Sequence, residues 1–166
     1  EAGIPDISME VMGNADQMYE EGVRLSEKFG SFATIKVPCT REGLMVCGGL
    51  SEKNIKTNVT LIFCASQAIL AAKVGATYVS PFIGRLDDNS TDGLELIENI
   101  RLVYDNYSYG TQILAASVRH TMHIVNCAKI GADVMTGPLS AIKGLLNHPL
   151  TDIGLEKFLS DYRKGN

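Results

Sequence analysis

The chain has 166 residues, of which 45% are hydrophobic and 20% charged, a composition typical of a globular domain that can bury its core without disulfides or a structural metal. A net charge of −4 and a pI near 5.3 argue against a protein that binds nucleic acid or an anionic membrane surface. No apolar run reaches membrane-spanning length. The cysteines lack C-x-x-C or zinc-like spacing and are expected to be reduced thiols of a cytoplasmic protein: Cys39, Cys47, Cys64 and Cys127.

Short apolar runs typical of β-strands alternate with helical patterns along the chain. Each run is followed by a segment whose apolar residues recur at helical spacing or that carries helix-capping residues. The predicted strands lie at 6–11, 33–37, 57–63, 77–82, 112–117 and 132–136.

Capping residues mark where the first two helices begin. Asn14, with Gln17 in the third position after it, predicts a capping box for the first helix. The second strand stops at Pro38, and Thr40 can cap the next helix, although the pair of glycines at 48–49 lowers its helix propensity.

The later helices follow from similar signals. After the fourth strand, 84–91 is predicted to be a polar loop, and Asp92 with Glu95 predicts a capping box for the helix that follows. Further helices are predicted over 121–130, from Pro138, and over 151–163, the last of these amphipathic.

Six strand–helix units in strict alternation predict an α/β fold with parallel strands, either a doubly wound sheet or a (β/α)8 barrel. The absence of a G-x-G-x-x-G motif or P-loop weakens the doubly wound alternative. Polar residues within or at the end of different strands favour a barrel, because barrel enzymes assemble their sites there: Glu10, Lys36, Thr60, Ser80, Ser117 and Thr136. We expect one partial TIM-barrel domain over 1–166, with about six of the eight units.

Lys36 lies inside an apolar strand, where an ammonium group loses hydration. Desolvation favours the neutral amine, which can attack a carbonyl carbon as a nucleophile. The alternative is a lysine on an edge strand whose head reaches solvent, and its position alone does not decide between the two. No other predicted strand has a lysine in its interior, which favours a functional role.

Glu10 is a carboxylate in the first strand, and it could move protons through a water molecule. Its alternatives are a solvated strand end or a partner for a buried cation.

Arg85, Ser117 and Arg119 follow the fourth and fifth strands and suggest a phosphate site, since guanidinium forks and hydroxyls match phosphate oxygens. The alternative, a surface arginine paired with Asp87 or Asp88, fits Arg85 better than the Ser-x-Arg at a strand end.

Three histidines complete the candidates for chemistry. His120 and His123 have the spacing of a shared metal site, but no further ligand cluster supports one, so capping or packing is the favoured interpretation. His148, before Pro149, is interpreted as a turn or helix-end residue.

Five segments together resemble the transaldolase family, in particular the short-chain branch that also contains fructose-6-phosphate aldolase. The resemblance follows the chain in unbroken order. The segments are 35–38 (IKVP), 55–63 (IKTNVTLIF), 78–88 (YVSPFIGRLDD), 115–120 (AASVRH) and 148–158 (HPLTDIGLEKF).

The resemblance implies a class I aldolase mechanism without metal or organic cofactor, in an enzyme of the pentose phosphate pathway. Lys36 would form a Schiff base with fructose 6-phosphate or sedoheptulose 7-phosphate and pass a dihydroxyacetone unit to an aldose phosphate. Glu10 would act as acid and base through a water held by Thr60. The remaining residues would bind substrate hydroxyls (Asn58 and Ser80) and phosphate (Arg85, Ser117 and Arg119).

Two positions separate the activities of this branch. Its plain aldolases resemble one another in having Gln at the position of Glu10 and Tyr at that of Phe82, whereas Glu10 with Phe82 resembles true transaldolases. A tyrosine hydroxyl could protonate the bound carbanion or its water path, and phenylalanine cannot. Transaldolase is the preferred prediction, and fructose-6-phosphate aldolase is the alternative.

The family's first two strands, with a catalytic Asp and a Thr-Thr-Asn-Pro turn, have no counterpart in this sequence. We expect strands three to eight of the barrel, from a fragment or a truncated gene product, and the isolated chain to be poorly stable and weakly active or inactive, because an open barrel exposes strand edges. A truncated, non-catalytic sugar-phosphate-binding paralogue is a further alternative. The resemblance also implies homo-oligomers, pentamers or decamers, in which the C-terminal helix reaches a neighbouring subunit.

Overall fold

The computed structural model describes residues 6–165, in which strands and helices alternate. The strands are β1 (Ile7–Glu10), β2 (Ala33–Pro38), β3 (Thr57–Ile62), β4 (Tyr78–Pro81), β5 (Gln112–Ala115) and β6 (Val134–Met135). The α-helices are α1 (Ala15–Phe29), α2 (Arg41–Glu52), α3 (Ala65–Lys73), α4 (Ile83–Asp87), α5 (Gly93–Tyr107), α6 (Thr121–Ile130), α7 (Leu139–Gly144) and α8 (Pro149–Gly165).

The strands form one parallel sheet in chain order, β1-β2-β3-β4-β5-β6. Sequential parallel neighbours joined by helical crossovers are the construction of a (β/α)8 barrel. The described residues therefore form an incomplete TIM barrel, as predicted. Within them β1 and β6 are the edge strands, and β2 to β5 each pair on both sides.

The helix starts of the first half agree with the capping signals. The Asn14 side chain accepts from the Gln17 N–H while the Gln17 side chain accepts from the Asn14 N–H, which confirms the capping box. Thr40 caps α2 by accepting from the backbone of Gly43. The helix runs unbroken through Gly49, where a Cβ would lie 3.0 Å from the Tyr19 ring, so glycine there lets α1 approach closely.

Three predictions for the second half are corrected. The stretch 84–91 is not wholly a loop, because α4 occupies its first part. Asp92 caps α5 by accepting from the Leu94 N–H rather than in a box with Glu95. The C-terminal helix is longer than 151–163, since Pro149 occupies its first turn, where no N–H is required.

The hydrophobic core fills the space between the sheet and the helices. Ile35, Val37, Val59, Val79 and Ile113 are fully buried on the strands. A Cβ at Gly22 of α1 would lie 3.2 Å from the Ile35 side chain, so Ile35 faces the helices. Because side chains alternate along a strand, the residues between them point to the inside of the barrel.

Inside the barrel, at the amino-terminal end of the sheet, a polar cluster forms around Asp6. Its carboxylate accepts hydrogen bonds from Lys56 Nζ at 2.6 Å, Thr34 Oγ1 at 2.7 Å and the Tyr78 hydroxyl at 3.4 Å. Burial, followed by the Asp6 charge, raises the pKa of Tyr78. This cluster provides hydrogen-bond partners for polar groups inside the barrel at its amino-terminal end. In TIM barrels the residues at that end usually serve stability rather than catalysis.

Helix α8 lies outside this core, because none of its described residues is buried. Its apolar side chains are largely exposed: Leu150, Ile153, Leu155, Phe158, Leu159 and Tyr162. Within residues 6–165, no helix has the length and apolarity needed to cross a membrane.

Candidate active site

The register of the first three strands aligns three predicted site residues. Glu10 of β1 is paired with Lys36 of β2, which is paired with Asn58 of β3. All three face the barrel interior, opposite the core-facing Ile35 and Val37. Glu10 is the last residue of β1, whereas Asn58 is the second residue of β3. The fold therefore brings a cation, a carboxylate and an amide side by side inside the barrel, level with the carboxyl end of β1. Barrel enzymes bind substrate at the carboxyl ends of their strands.

Lys36 lies on an interior strand, so the alternative of an edge-strand lysine does not apply. Its Nζ is 3.5 Å from Glu10 Oε2, and the two side chains are 25% and 48% exposed. The amine is thus shielded on the strand side and open to the space inside the barrel. Glu10 is close enough to exchange a proton with it through one water.

Asn58 is almost fully buried, and two serines orient its amide. Ser80 Oγ donates to Asn58 Oδ1 at 2.7 Å, and Asn58 Nδ2 donates to Ser8 Oγ at 3.2 Å. Ser8 was missed at the sequence level. It precedes Glu10 by two positions on the same strand and so lies on the same face, which is the signal that could have identified it.

Thr60 lies where the pairing of β3 with β4 is irregular. The register shifts between Val59 and Ile62, and Leu61 has a left-handed φ of 59°. Such bulges re-aim side chains near active sites, and a left-handed non-glycine residue costs roughly 1 kcal/mol or more. The Thr60 hydroxyl is buried and has no hydrogen-bond partner among residues 6–165.

A cavity of about 470 Å³ occupies the carboxyl end of the barrel interior. Its lining joins residues from β1 to the segment after β6: Ser8, Glu10, Lys36, Asn58, Ser80, Phe82, Leu114, Ala116, Ser117 and Thr136. Six predicted site residues are among them. Within the described part of the chain, Thr60, Arg85 and Arg119 lie outside this lining.

Ser117, at one end of the cavity, is held against the start of α4. Gly84 N donates to Ser117 O and Ile83 N to Ala116 O, each at 3.1 Å. A Cβ at Gly84 would lie 2.1 Å from Ser117 O, so only glycine permits this approach. Ser117 itself has a left-handed φ of 60°, which turns the chain out of β5 towards α6.

The two arginines differ in their surroundings. The sequence suggested an ion pair between Arg85 and an aspartate, but the structure places this pair on Arg119. Arg119 Nη2 lies 2.6 Å from Asp88 Oδ2, and both side chains are about half exposed. The Arg85 guanidinium instead stacks on Phe82, 4.8 Å from the ring centroid. Phe82 also packs edge-on against Phe63, which holds its ring at the cavity wall.

His120 and His123 have the capping and packing roles that the sequence favoured. His120 is the N-cap of α6, and its Nδ1 accepts from the His123 N–H. His123 is 6% exposed, accepts from the Arg119 N–H through Nδ1, and lies with Nε2 3.0 Å from Asp87. Burial, followed by the His120 charge, lowers the pKa of His123. The described residues hold no group of three or more His, Cys, Asp or Glu side chains arranged to bind a metal ion.

Similar solved structures agree with the barrel architecture. A GMP reductase of Trypanosoma brucei superposes with a TM-score of 0.61 at 20% identity, covering 81% of this chain and 30% of that one. A mandelate oxidase superposes with a TM-score of 0.59 at 11% identity, covering 82% of this chain and 49% of that one. The chain thus spans half or less of these structures, and at such low identities the likeness concerns the fold alone.

Similarity in sequence extends over nearly the whole chain. It is 64% identical over 162 residues to a "Probable transaldolase" of Flavobacterium psychrophilum, covering 97% of this chain and 74% of that protein. Proteins of the same name in Phocaeicola vulgatus and Maricaulis maris are 57% and 54% identical, with 74% and 73% of their lengths covered. The sequence model of the family "Transaldolase/Fructose-6-phosphate aldolase" matches residues 4–164. The chain therefore belongs to the transaldolase/fructose-6-phosphate aldolase family.

Proposed function

We propose that the protein is a transaldolase that moves a dihydroxyacetone unit from fructose 6-phosphate or sedoheptulose 7-phosphate to an aldose phosphate through a Schiff base on Lys36. The observation that carries the proposal is Lys36 itself, on an interior strand, facing the cavity, 3.5 Å from Glu10. The names of the relatives support the same reaction class.

Formation of the imine would use the Lys36–Glu10 pair. Glu10 accepts a proton from the ammonium, and the neutral amine then attacks the ketose carbonyl to form a carbinolamine. The same carboxyl group, now protonated, returns the proton to the carbinolamine hydroxyl through a water, and water leaves. The unpartnered Thr60 hydroxyl is suited to hold that water, because it can both donate and accept a hydrogen bond.

Carbon–carbon cleavage would then use the imine as the electron sink. When the substrate hydroxyl beyond the cleaved bond loses its proton, that bond breaks, its electron pair moves to the imine as an enamine, and an aldose phosphate departs. The enamine adds to the acceptor aldehyde by the reverse steps, and hydrolysis frees Lys36. Among the described lining residues Glu10 is the sole carboxylate, and the family resemblance expects a separate Asp for this proton.

Substrate hydroxyls would bind to Asn58 and Ser80, whose mutual hydrogen bond fixes the amide orientation, and to Ser8. The phosphate would bind at the far end, at Ser117, with Arg119 and Arg85 turning towards it. The Arg119–Asp88 pair is half exposed, and such pairs contribute about 1 kcal/mol or less, so a phosphate can compete for Arg119.

Borohydride reduction in the presence of fructose 6-phosphate tests the Schiff base. We expect a reduced dihydroxyacetone adduct on the peptide that contains Lys36, detected by mass spectrometry and absent when the sugar is omitted. An unmodified Lys36 in the folded, full-length protein would contradict the proposal and would favour a sugar-phosphate-binding protein without catalysis.

Phe82→Tyr should shift the reaction from transfer towards release of free dihydroxyacetone. A tyrosine hydroxyl at the cavity wall offers a proton donor for the bound enamine, which the phenylalanine ring lacks. The measurement is dihydroxyacetone released from fructose 6-phosphate with and without erythrose 4-phosphate. Phe63→Tyr, on the ring that packs against Phe82, is the matched control. If the unaltered protein already releases dihydroxyacetone without an acceptor, it is a fructose-6-phosphate aldolase.

We also propose that the protein is a homo-oligomer, a pentamer or decamer, assembled through α8. The support is the uncovered apolar side of this helix, on which Phe158 is 72% exposed. Phe158→Glu should reduce the mass measured by light scattering after size-exclusion chromatography, whereas Lys157→Glu, a neighbouring charged position, should leave it unchanged. An unaltered mass in the Phe158 variant would contradict assembly through α8.

A further inference from the structure

Both ring nitrogens of the buried His123 make polar contacts, in a junction that joins α4, α5 and α6. Its Nδ1 accepts from the Arg119 N–H at 3.2 Å, so the ring proton is on Nε2, which donates to Asp87 Oδ2 at 3.0 Å. The geometry therefore defines one neutral tautomer. A histidine with both nitrogens engaged and 6% exposure is held in one orientation.

Asp87 extends this junction to the next helix. Its second oxygen, Oδ1, accepts from the Gly93 N–H at the start of α5 at 2.9 Å. One carboxylate thus joins the end of α4, the start of α5 and, through His123, helix α6. The start of α4 is in turn bonded to the backbone of Ala116 and Ser117.

The segment from Ser117 to Arg119 is therefore held from two sides, by the start of α4 and by His123. Such restraint is required, because Ser117 has a left-handed φ of 60°, a conformation that costs a non-glycine residue about 1 kcal/mol. The Arg119 side chain, by contrast, extends past Gly84 to an exposed ion pair with Asp88. Its backbone is fixed while its guanidinium is free to exchange partners.

We propose that His123, oriented by Asp87, is a positioning residue that holds the Ser117–Arg119 backbone in the conformation that binds the substrate phosphate. This inference rests on the proposed function and concerns the phosphate end of the same site. His123 is not among the residues that line the cavity around Lys36, so its effect should fall on substrates that carry a phosphate and not on imine chemistry itself.

The junction depends on His123 being neutral, so it should be disrupted at low pH. Asp87 on α4 and His120 and Arg119 before α6 are the titratable and charged groups that act on it. Burial first, then His120 and Arg119, lower the pKa of His123 against the opposing effect of Asp87. Protonation would place a hydrogen on Nδ1, which could then no longer accept from the Arg119 N–H. Binding of phosphate should therefore weaken as the pH falls through the pKa of His123.

The test compares two ketones in the borohydride trapping of Lys36, fructose 6-phosphate and the phosphate-free dihydroxyacetone. His123→Ala should raise the half-saturating concentration of fructose 6-phosphate about tenfold, the effect of losing one or two hydrogen bonds, and leave that of dihydroxyacetone unchanged. Inorganic phosphate, added as a competitor of fructose 6-phosphate, should lose potency by a similar factor.

Matched variants separate positioning from general damage. His123→Asn keeps an acceptor at the place of Nδ1 and should restore part of the affinity, and Met122→Ala, on the exposed side of the same helix, should behave as the unaltered protein. If His123→Ala does not fold, as judged by circular dichroism, the comparison uses His123→Phe, whose ring fills the same site without an acceptor for the Arg119 N–H. Equal changes for both ketones, or no change for either, would overturn the inference.

The pH dependence supplies a second, independent measurement. The half-saturating concentration of fructose 6-phosphate should rise more steeply in the unaltered protein than in His123→Asn as the pH falls through the lowered pKa of His123. The phosphate's own titration near pH 6 affects both proteins equally. Parallel curves would contradict the inference. Failure of the unaltered protein to be trapped by either ketone would instead contradict the Schiff base on Lys36, and with it both proposals.

Discussion

Lys36→Met is expected to abolish borohydride trapping and to lower turnover of fructose 6-phosphate with erythrose 4-phosphate by on the order of 10⁴-fold or more, as is usual when a covalent nucleophile is removed. The physical reason is that methionine matches the length of the side chain without an amine to form the imine. The measurement is steady-state turnover together with mass spectrometry of the reduced peptide.

Two further variants make this result specific. Lys36→Arg keeps a positive charge near Glu10 but cannot form a Schiff base under these conditions, and it should be as inactive as Lys36→Met. Lys53→Met makes the same change at an exposed lysine beside the Tyr19 ring and should retain activity. Substantial turnover in both Lys36 variants would show that another residue is the nucleophile.

Glu10→Ala is expected to slow imine formation by about 10²- to 10³-fold, the usual contribution of a general acid–base. It removes the carboxylate that lies 3.5 Å from the amine and could move its proton. Glu10→Gln should be less harmful, because an amide can still hold a water although it does not exchange protons at neutral pH. The measurement is the single-turnover rate at which trappable adduct accumulates on mixing with fructose 6-phosphate.

The control for this prediction is Glu52→Ala, at an exposed glutamate that ends α2. It should leave the rate of adduct formation unchanged. Unaltered single-turnover rates in Glu10→Ala would assign the proton transfers to solvent or to another group, while leaving the role of Lys36 intact.

Much of the fold and half of the cavity were accessible from local sequence signals. Strict strand–helix alternation predicted parallel strands, and the polar residues at strand ends favoured the barrel over a doubly wound sheet. Asn14 and Thr40 marked helix starts where the structure has them. Lys36 and Glu10 were identifiable because charged side chains are rare inside apolar strands, and both line the cavity. Each of these signals depends on a few consecutive residues, so it can be recognised without knowledge of tertiary contacts.

The features missed or misassigned depend on residues far apart in the chain. The hydrogen bonds of Asn58 with Ser8 and Ser80 depend on strand pairing, and the buried Thr60 hydroxyl lies beside a register shift that alternation does not reveal. Helix α4 lies in a stretch of polar and turn-forming residues and is held by hydrogen bonds to the end of β5.

Taken by itself, the sequence determined the alternation of strands and helices, the starts of the first two helices, and the two residues that stand out chemically. Periodicity and burial are properties of neighbouring residues, which explains why these conclusions needed no coordinates. Only the tertiary structure decided that Glu10 lies 3.5 Å from Lys36, that Arg119 rather than Arg85 pairs with an aspartate, and that Asp87 lies 3.0 Å from the ring of His123. Distances between elements are set by register, crossover and packing, which act between segments rather than within them.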